Sequence, residues 1–415
     1  MLKKHVVIVG GGWAGIRLAR KLKKLAKNKH IAVTLVSNES NFRYSAALYR
    51  VATGHKEKEA LLPIHELLAD LPDTKFTKAT MTNIDPHKRT ITLSKGKIVH
   101  YDYAVLALGS VTTYFGIPGI AEHAHSIKTQ KELRRFRTHI HQELLNEHAP
   151  DKHYVVVGAG PTGVELAAAM SSYMRSVVKR HGLRKRRIHI ELVEASSRVL
   201  PMSHPKASKI TLQRLRLLGI TVHLNSKVEY ESDTGLVVNG RTIPTKTVIW
   251  TAGVANNPFF AKHSHVFTLN NRSKVLVDDH LMVDKRVYVI GDNAVTPFSG
   301  LGLTAVHHAN YVAKDLEKKV YGHKKTKAYK PLVPATVVPV GKRWAVFQYK
   351  SFVFGGFLGS IMRSLADFVS YSDIAGTQKA IGLWAHTSDL EEQCVLCKTA
   401  LSDKQGLLAG LTESY

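Results

Sequence analysis

Cysteine is nearly missing from this chain: of its 415 residues only Cys394 and Cys397 qualify, both near the C-terminus. That excludes a disulfide framework and fits a reducing compartment. Cys394-x-x-Cys397 has no second pair to complete a zinc ribbon, so no metal site is expected. A run of roughly 18 uncharged apolar residues is also absent, so no spanning helix is expected. The first apolar strand begins at Val6, so no signal peptide is expected in front of it. Acidic residues are the third shortage, with 32 Asp and Glu against 59 Lys and Arg and a formal net charge of +27. Such an excess asks for an anionic partner. The cations are scattered, with local runs at 21–29 and 184–187, which fits a membrane surface better than a nucleic-acid groove. No specific nucleic acid is expected.

What the chain does have is a duplicated glycine turn. Residues 6–9 (VVIV) form a buried strand, and Gly10, Gly12 and Gly15 follow at the spacing G-x-G-x-x-G. Residues 16–19 then open a helix. Glycine is needed where the chain turns tightly and a diphosphate approaches the backbone at a helix N-terminus. The pattern returns later. Residues 154–157 make a buried strand, Gly158, Gly160 and Gly163 repeat the spacing, and residues 164–170 open a helix. Two such turns imply two nucleotides in one protein. At this length two or three domains are expected.

The residue ending the second strand of each unit reads the adenosine ribose. In the later unit, strand 189–193 ends at Glu194, whose carboxylate accepts from ribose hydroxyls and repels a 2′-phosphate. Arg198, four residues on, weakens that exclusion slightly. In the first unit the position holds Ser37, with Asn38 and Glu39 behind it. Three further buried strands exit at glycine, namely at Gly109, Gly253 and Gly291, the last followed by Asp292. Thr304 is read as the N-cap of a helix reaching about residue 316, its N-terminus suited to negative charge on a reduced flavin ring. Residues 337–340 and 345–349 read as strands. In 354–371 the apolar residues Phe354, Phe357, Leu358, Ile361, Met362, Leu365, Phe368 and Val369 recur at 3–4 spacing, opposite Ser360, Arg363, Ser364 and Asp367. This is an amphipathic helix, which either faces a core or lies on a membrane. Lys342, Arg343 and Lys350 nearby favour the second on an anionic leaflet.

With these motifs in order, the chain resembles the type II NADH dehydrogenases, FAD proteins that pass electrons from NADH to quinone. The likeness runs through VVIVGGGWAG, LYRVATG, LALGS, VVVGAGPTGVELA, LVEASSRVLP, VIWTAGVANNP and VYVIGDNA. It implies an α/β fold of two Rossmann-like domains, with the NADH domain inserted into the FAD domain, and a C-terminal α+β segment carrying a membrane-attachment helix. The expected division is 1–115 and 266–320 for FAD, 116–265 for NADH, and 321–415 for attachment. Carried across, Gly10, Gly12, Ala14 and Gly15 hold FAD, with Ser37 and Asn38 at its ribose, and Gly109, Gly291, Asp292, Thr304 and Ala305 round the flavin. Gly158, Gly160, Thr162, Gly163, Glu194 and Gly253 hold NADH. Glu165 falls near nicotinamide and flavin, or else is a first-turn acid facing the helix dipole.

The implied activity is non-pumping NADH:quinone oxidoreduction in a respiratory chain, with menaquinone or ubiquinone as acceptor. It would take place on the cytoplasmic face of the cell membrane, the protein held peripherally, with a homodimer as the candidate assembly. One departure stands out. The family's A-Q-x-A-x-Q is replaced by Gly302-Leu303-Thr304-Ala305-Val306-His307. Leu303 cannot make the polar contact, whereas His307 can donate to a quinone oxygen. The alternatives are an NADH-oxidising flavoprotein using oxygen or a small protein as acceptor, and an NAD(H)-responsive flavoprotein that binds a polyanion. Cysteine pairs of the kind used by disulfide reductases and sulfide oxidisers are absent from the body of the chain.

Overall fold

The computed structural model describes residues 3–146, 148–183, 185–323 and 326–385; Cys394 and Cys397 lie outside them. A six-stranded sheet is built first. Lys4–Val9 sits near its middle, parallel to Ile31–Ser37 on one side and Tyr103–Leu106 on the other. Thr74–Lys78 continues one edge, and Val287–Val289 and Met282–Asp284 the other, only the last pairing antiparallel. The strands are rich in Val and Ile because both faces are covered: Val6, Ile8 and Leu35 pack into one core, Val7, Val9 and Leu106 into another. Helices Trp13–Lys21 and Gly302–Tyr321 lie together on one face, and the ribbon Met81–Asp85, Thr90–Leu93 and Ile98–His100 stands beside the sheet.

A second, four-stranded parallel sheet comes wholly from within this chain path. Its order is Ile220–His223, His189–Val193, His153–Val157 and Thr247–Trp250. The first sheet thus takes strands from before residue 107 and after residue 281, and the second from the stretch between. Where the chain leaves and returns, Ser110–Thr112 and Val254–Asn256 pair antiparallel, tying the two units at their seam. Phe259, Phe260 and Phe267, just past the return, pack into the core of the first sheet.

The last part is a three-stranded antiparallel sheet, Thr336–Pro339, Ala345–Tyr349 and Phe352–Gly356, followed by helix Phe357–Ala375 and helix Thr377–Ala385. The amphipathic segment expected at 354–371 therefore starts as strand: Phe354 pairs with Phe347 across the sheet, and Gly356 at φ 117° makes the turn into the helix. The helix is also oriented against the usual rule. Arg363, Asp367 and Tyr371 are buried, whereas Leu358 is 66% exposed, Leu365 50% and Val369 56%. Among the described residues no helix is long and apolar enough to cross a membrane.

Candidate functional site

Both glycine turns lie where parallel strands end and a helix begins, and their geometry matches residue by residue. Gly10 (φ 124°) and Gly158 (φ 100°) make the tight turn off the strand. A Cβ on Gly10 would lie 2.0 Å from the Ala107 carbonyl oxygen, and one on Gly158 2.6 Å from Ala252 Cα. Gly15 and Gly163 let each helix pack on its own turn, since a Cβ there would sit 1.9 and 1.8 Å from the carbonyl oxygens of Gly10 and Gly158. The middle glycines differ. A Cβ on Gly12 or Gly160 meets no protein atom within 4 Å. Both are extended N-caps without a side-chain cap, so the first helical N–H groups face outward. Nothing inside the chain demands glycine there; a diphosphate approaching the backbone does.

The first turn borders a cleft of about 270 Å³, walled by Gly10, Gly12, Ser37, Asn38, Gly109 and Lys128. Ser37 is buried and its Oγ accepts from the Glu39 N–H at 3.2 Å, so the position that holds an acid in other dinucleotide folds here shapes its own turn. Two residues not singled out in the sequence fix the cleft's glycines. Asn293, fully buried, accepts from the Gly109 N–H and donates to its carbonyl (2.9 and 2.8 Å). His308, also fully buried, accepts from the Gly291 N–H at 3.0 Å. Burial pushes its pKa down to about 4, keeping it a neutral acceptor. Gly291, Ala14 and Ala305 come together where the two helices meet: a Cβ on Gly291 would lie 3.6 and 3.9 Å from the other two Cβ atoms. Asp292 accepts from Ser110 Oγ at 3.1 Å.

A third missed residue is Lys128. Its Nζ is buried without a hydrogen-bond partner, and burial, with Arg43 nearby, lowers its pKa against the pull of Asp292. A dry ammonium in a cleft wall calls for an anion, and a diphosphate satisfies it. Only the cleft, not sequence spacing, reveals this residue. The cleft therefore fits FAD: the open middle glycine and the unpartnered ammonium both face where its diphosphate would bind. Thr304 is not an N-cap, because the helix begins at Gly302 with Leu301 as its cap. Its Oγ is instead a second buried, unpartnered polar atom.

At the second turn the Glu194 carboxylate accepts from the Ala159 N–H at 2.7 Å and from the Ser196 N–H at 2.8 Å, bracing the turn while remaining at the end of its strand. Thr162 is in the first helical turn, and Gly253 is at the exit of the neighbouring strand, its α-carbon closed off by Phe115. The Arg198 guanidinium donates to the Pro201 and Ser203 carbonyls and to Ser208 Oγ.

Glu165 lies beyond the first helical turn and is buried between the units. It accepts from Arg363 at 3.1 Å, and Arg363 in turn reaches Asp367 at 3.0 Å and the Ala46 carbonyl. Asp367 also accepts from Arg50 and Tyr44. Tyr44 meets Trp13, which follows Gly12, edge-on at 5.3 Å between ring centroids. The C-terminal helix thus reaches the helix after the second turn through charge and the first turn through the Tyr44–Trp13 ring contact. Burial pushes the Glu165 carboxyl up to about 7, against the pull of Arg363 and Arg50. Burial also opposes ionisation of Asp367, but the two arginines win and hold it below the usual carboxylate range. His307 is outside this network. It lines a surface cleft with Leu303, Leu332 and Tyr349 and bonds Tyr329 at 3.1 Å through Nδ1.

Two dinucleotide turns on two parallel sheets, one sheet inserted into the chain path of the other, define a protein built to bring two nucleotides together. Residues 4–313 match the family model described as pyridine nucleotide-disulphide oxidoreductase, and the chain belongs to that family. The FAD and NADH expected from the sequence agree with it. The fold is that of NDH2 from Plasmodium falciparum, solved in complex with NADH, at a TM-score of 0.81, 17% identity and coverage of 93% and 97% of the two chains. The type II NADH:quinone oxidoreductase of Staphylococcus aureus is 24% identical over 394 residues, 90% of this chain and 96% of that protein. The mitochondrial external alternative NAD(P)H-ubiquinone oxidoreductase B2 of Arabidopsis thaliana is 28% identical over 320 residues, 70% of this chain. The match spans only 54% of the Arabidopsis protein.

Proposed function

We propose that this protein is a non-pumping, type II NADH:quinone oxidoreductase that works at a membrane surface. The observation that carries this reading is the combination of two nucleotide turns, each with an open middle glycine, and a helix that grips both from one side while turning its apolar side outward. The chain divides at 1–115 and 266–320 for FAD, 116–265 for NADH and 321–415 for attachment. When bound, FAD would supply the redox chemistry linking NADH, as hydride donor, to an acceptor that takes up two electrons and two protons. Gly10, Gly12, Ala14 and Gly15 hold the FAD diphosphate, with Lys128 neutralising it and Ser37 and Asn38 at its ribose. Gly109, Gly291, Asp292, Thr304 and Ala305 border the flavin. Gly158, Gly160, Thr162 and Gly163 hold NADH, Glu194 selects its ribose, and Gly253 borders the nucleotide at the exit of the neighbouring strand.

Glu165, poised near neutrality by burial, holds a proton between the nucleotide site and the acceptor, and Arg363 positions it. His307, in the cleft it lines with Leu303, Leu332 and Tyr349, donates to a quinone oxygen, menaquinone or ubiquinone. The exposed side chains of helix Phe357–Ala375 dip into the headgroup region of the cytoplasmic leaflet, Lys342, Arg343 and Lys350 adding attraction to anionic lipid. A homodimer completes the assembly. Leu303, 50% exposed where the resembled family carries a polar residue, favours one second reading, an acceptor other than quinone. The test is steady-state NADH oxidation by the FAD-loaded protein with a short-chain quinone, a dye and oxygen compared at equal concentration. Quinone is expected to turn over fastest, with NADH preferred to NADPH. A colourless preparation, or turnover with the dye or oxygen alone, overturns the proposal.

A further inference from the structure

One cavity stands apart from both glycine turns. It has a volume of about 550 Å³ and opens between helix Gln130–Leu145 and strand Val228–Ser232 of the inserted unit. It reaches the start of strand Thr247–Trp250, whereas the nucleotide turn lies near that strand's end. Glu231 forms its inner wall. Tyr230, its neighbour, points outward at 46% exposure, so alternation along the strand turns Glu231 inward, to 8%. Glu231 Oε2 has no hydrogen-bond partner, and burial pushes the carboxyl up to about 8. A dry acid without a donor costs stability that an apolar residue in its place would not.

The cavity is also lined by a pair of imidazoles, His125 and His139, tilted at 33° with ring centroids 4.2 Å apart. Burial lowers the pKa of both, that of His125 to about 3, so they present neutral rings. The remaining charged groups are mostly occupied. Arg134 is held by Glu57 at 2.8 Å, Lys246 donates to the Ala149 carbonyl at 2.7 Å, and His123 is 3.4 Å from Asp233. Glu122 is exposed to solvent. Arg135, at the mouth, makes no ion pair or hydrogen bond among the described residues. A buried acid without a donor and a guanidinium without an acceptor thus face one cavity.

We propose that this cavity is a second ligand site, for a small zwitterion of the amino-acid type, whose ammonium pairs with Glu231 and whose carboxylate pairs with Arg135. An ammonium seated against Glu231 ionises the carboxyl, its proton passing to solvent, and the resulting carboxylate and the Arg135 guanidinium then match the two charges of such a molecule, while the neutral imidazoles add no competing charge.

The test is isothermal titration calorimetry of the FAD-loaded protein with glycine, L-glutamate, L-lysine and L-histidine, each beside its N-acetyl and amide forms. At least one free amino acid is expected to bind, with N-acetylation and amidation each weakening it roughly tenfold or more. Glu231→Gln is expected to abolish the preference for the free amine, and Arg135→Ala that for the free carboxylate. The flavin absorbance and the KM for NADH should stay unchanged in both variants. The proposal is overturned if no amino acid binds up to about 10 mM. It is also overturned if Glu231→Gln leaves binding intact, or if only AMP or inorganic phosphate binds.

Discussion

Helices Gly302–Tyr321 and Phe357–Ala375 are nearly equal in length, 20 and 19 residues, and both alternate apolar and polar faces, yet they are oriented in opposite senses. The first hides Ala305, Ala309, Val312 and Leu316 against the six-stranded sheet and leaves Lys314 and Lys318 in water. The second hides Arg363 and Asp367 and leaves Leu358, Ile361, Leu365 and Val369 outside. Periodicity reveals that a helix has two faces; it does not say which one turns inward. That choice depends on what waits at the docking surface. For the first helix it is an apolar sheet. For the second it is Arg50, Tyr44 and Glu165, groups that reward a charge and punish a leucine.

The contrast is broken most severely from the charged side. Asp367→Leu leaves Arg50 and Arg363 buried without their carboxylate, and is expected to cost about 3–5 kcal/mol. Chemical denaturation measures this; a loss under about 1 kcal/mol would mean that the network does not hold the helix. Truncating one leucine on each helix comes next. Leu316→Ala, inside, should cost about 2–5 kcal/mol. Leu365→Ala, outside, should stay within about 0.5 kcal/mol while weakening attachment to anionic vesicles about fivefold. Equal destabilisation by both would show that the outward face is covered by protein.

A further prediction concerns pH. Native Glu165 keeps its proton up to about pH 7, whereas the unfolded chain releases it near the ordinary glutamate value of 4.5. Between those values the native state binds more protons, so this group makes stability fall as pH rises through the window and adds no slope above it. Glu165→Gln should remove that slope, as read from denaturation midpoints between about pH 5 and 7. An undiminished slope would assign it to other groups.

The two glycine turns were legible in the sequence because their requirement is local: strand, tight turn, helix, with only glycine able to make the steps. The strands at 6–9, 154–157 and 247–250 announced themselves by β-branched runs, and Glu194 by its place at a strand end. Lys128, Asn293 and His308 did not, because each acts on atoms distant in sequence. Asn293, for instance, matters through Gly109, 184 residues earlier. Thr304 misled as a cap because Leu301, with no side chain suited to the task, begins the helix. Phe354 misled as helix because the apolar spacing continued into a strand that pairs with Phe347.

Read alone, the sequence determined that two dinucleotide turns exist, which one ends its second strand in an acid, and that a two-faced segment follows them. These rest on steric and periodic constraints felt within about twenty residues. Only the tertiary structure decided that the two-faced helix turns its charges inward, that Arg363 reaches Glu165 across 198 residues, and that Lys128 and Glu231 are left dry without partners. Burial and ion pairing are properties of a neighbourhood, and the neighbourhood does not exist until the chain has folded.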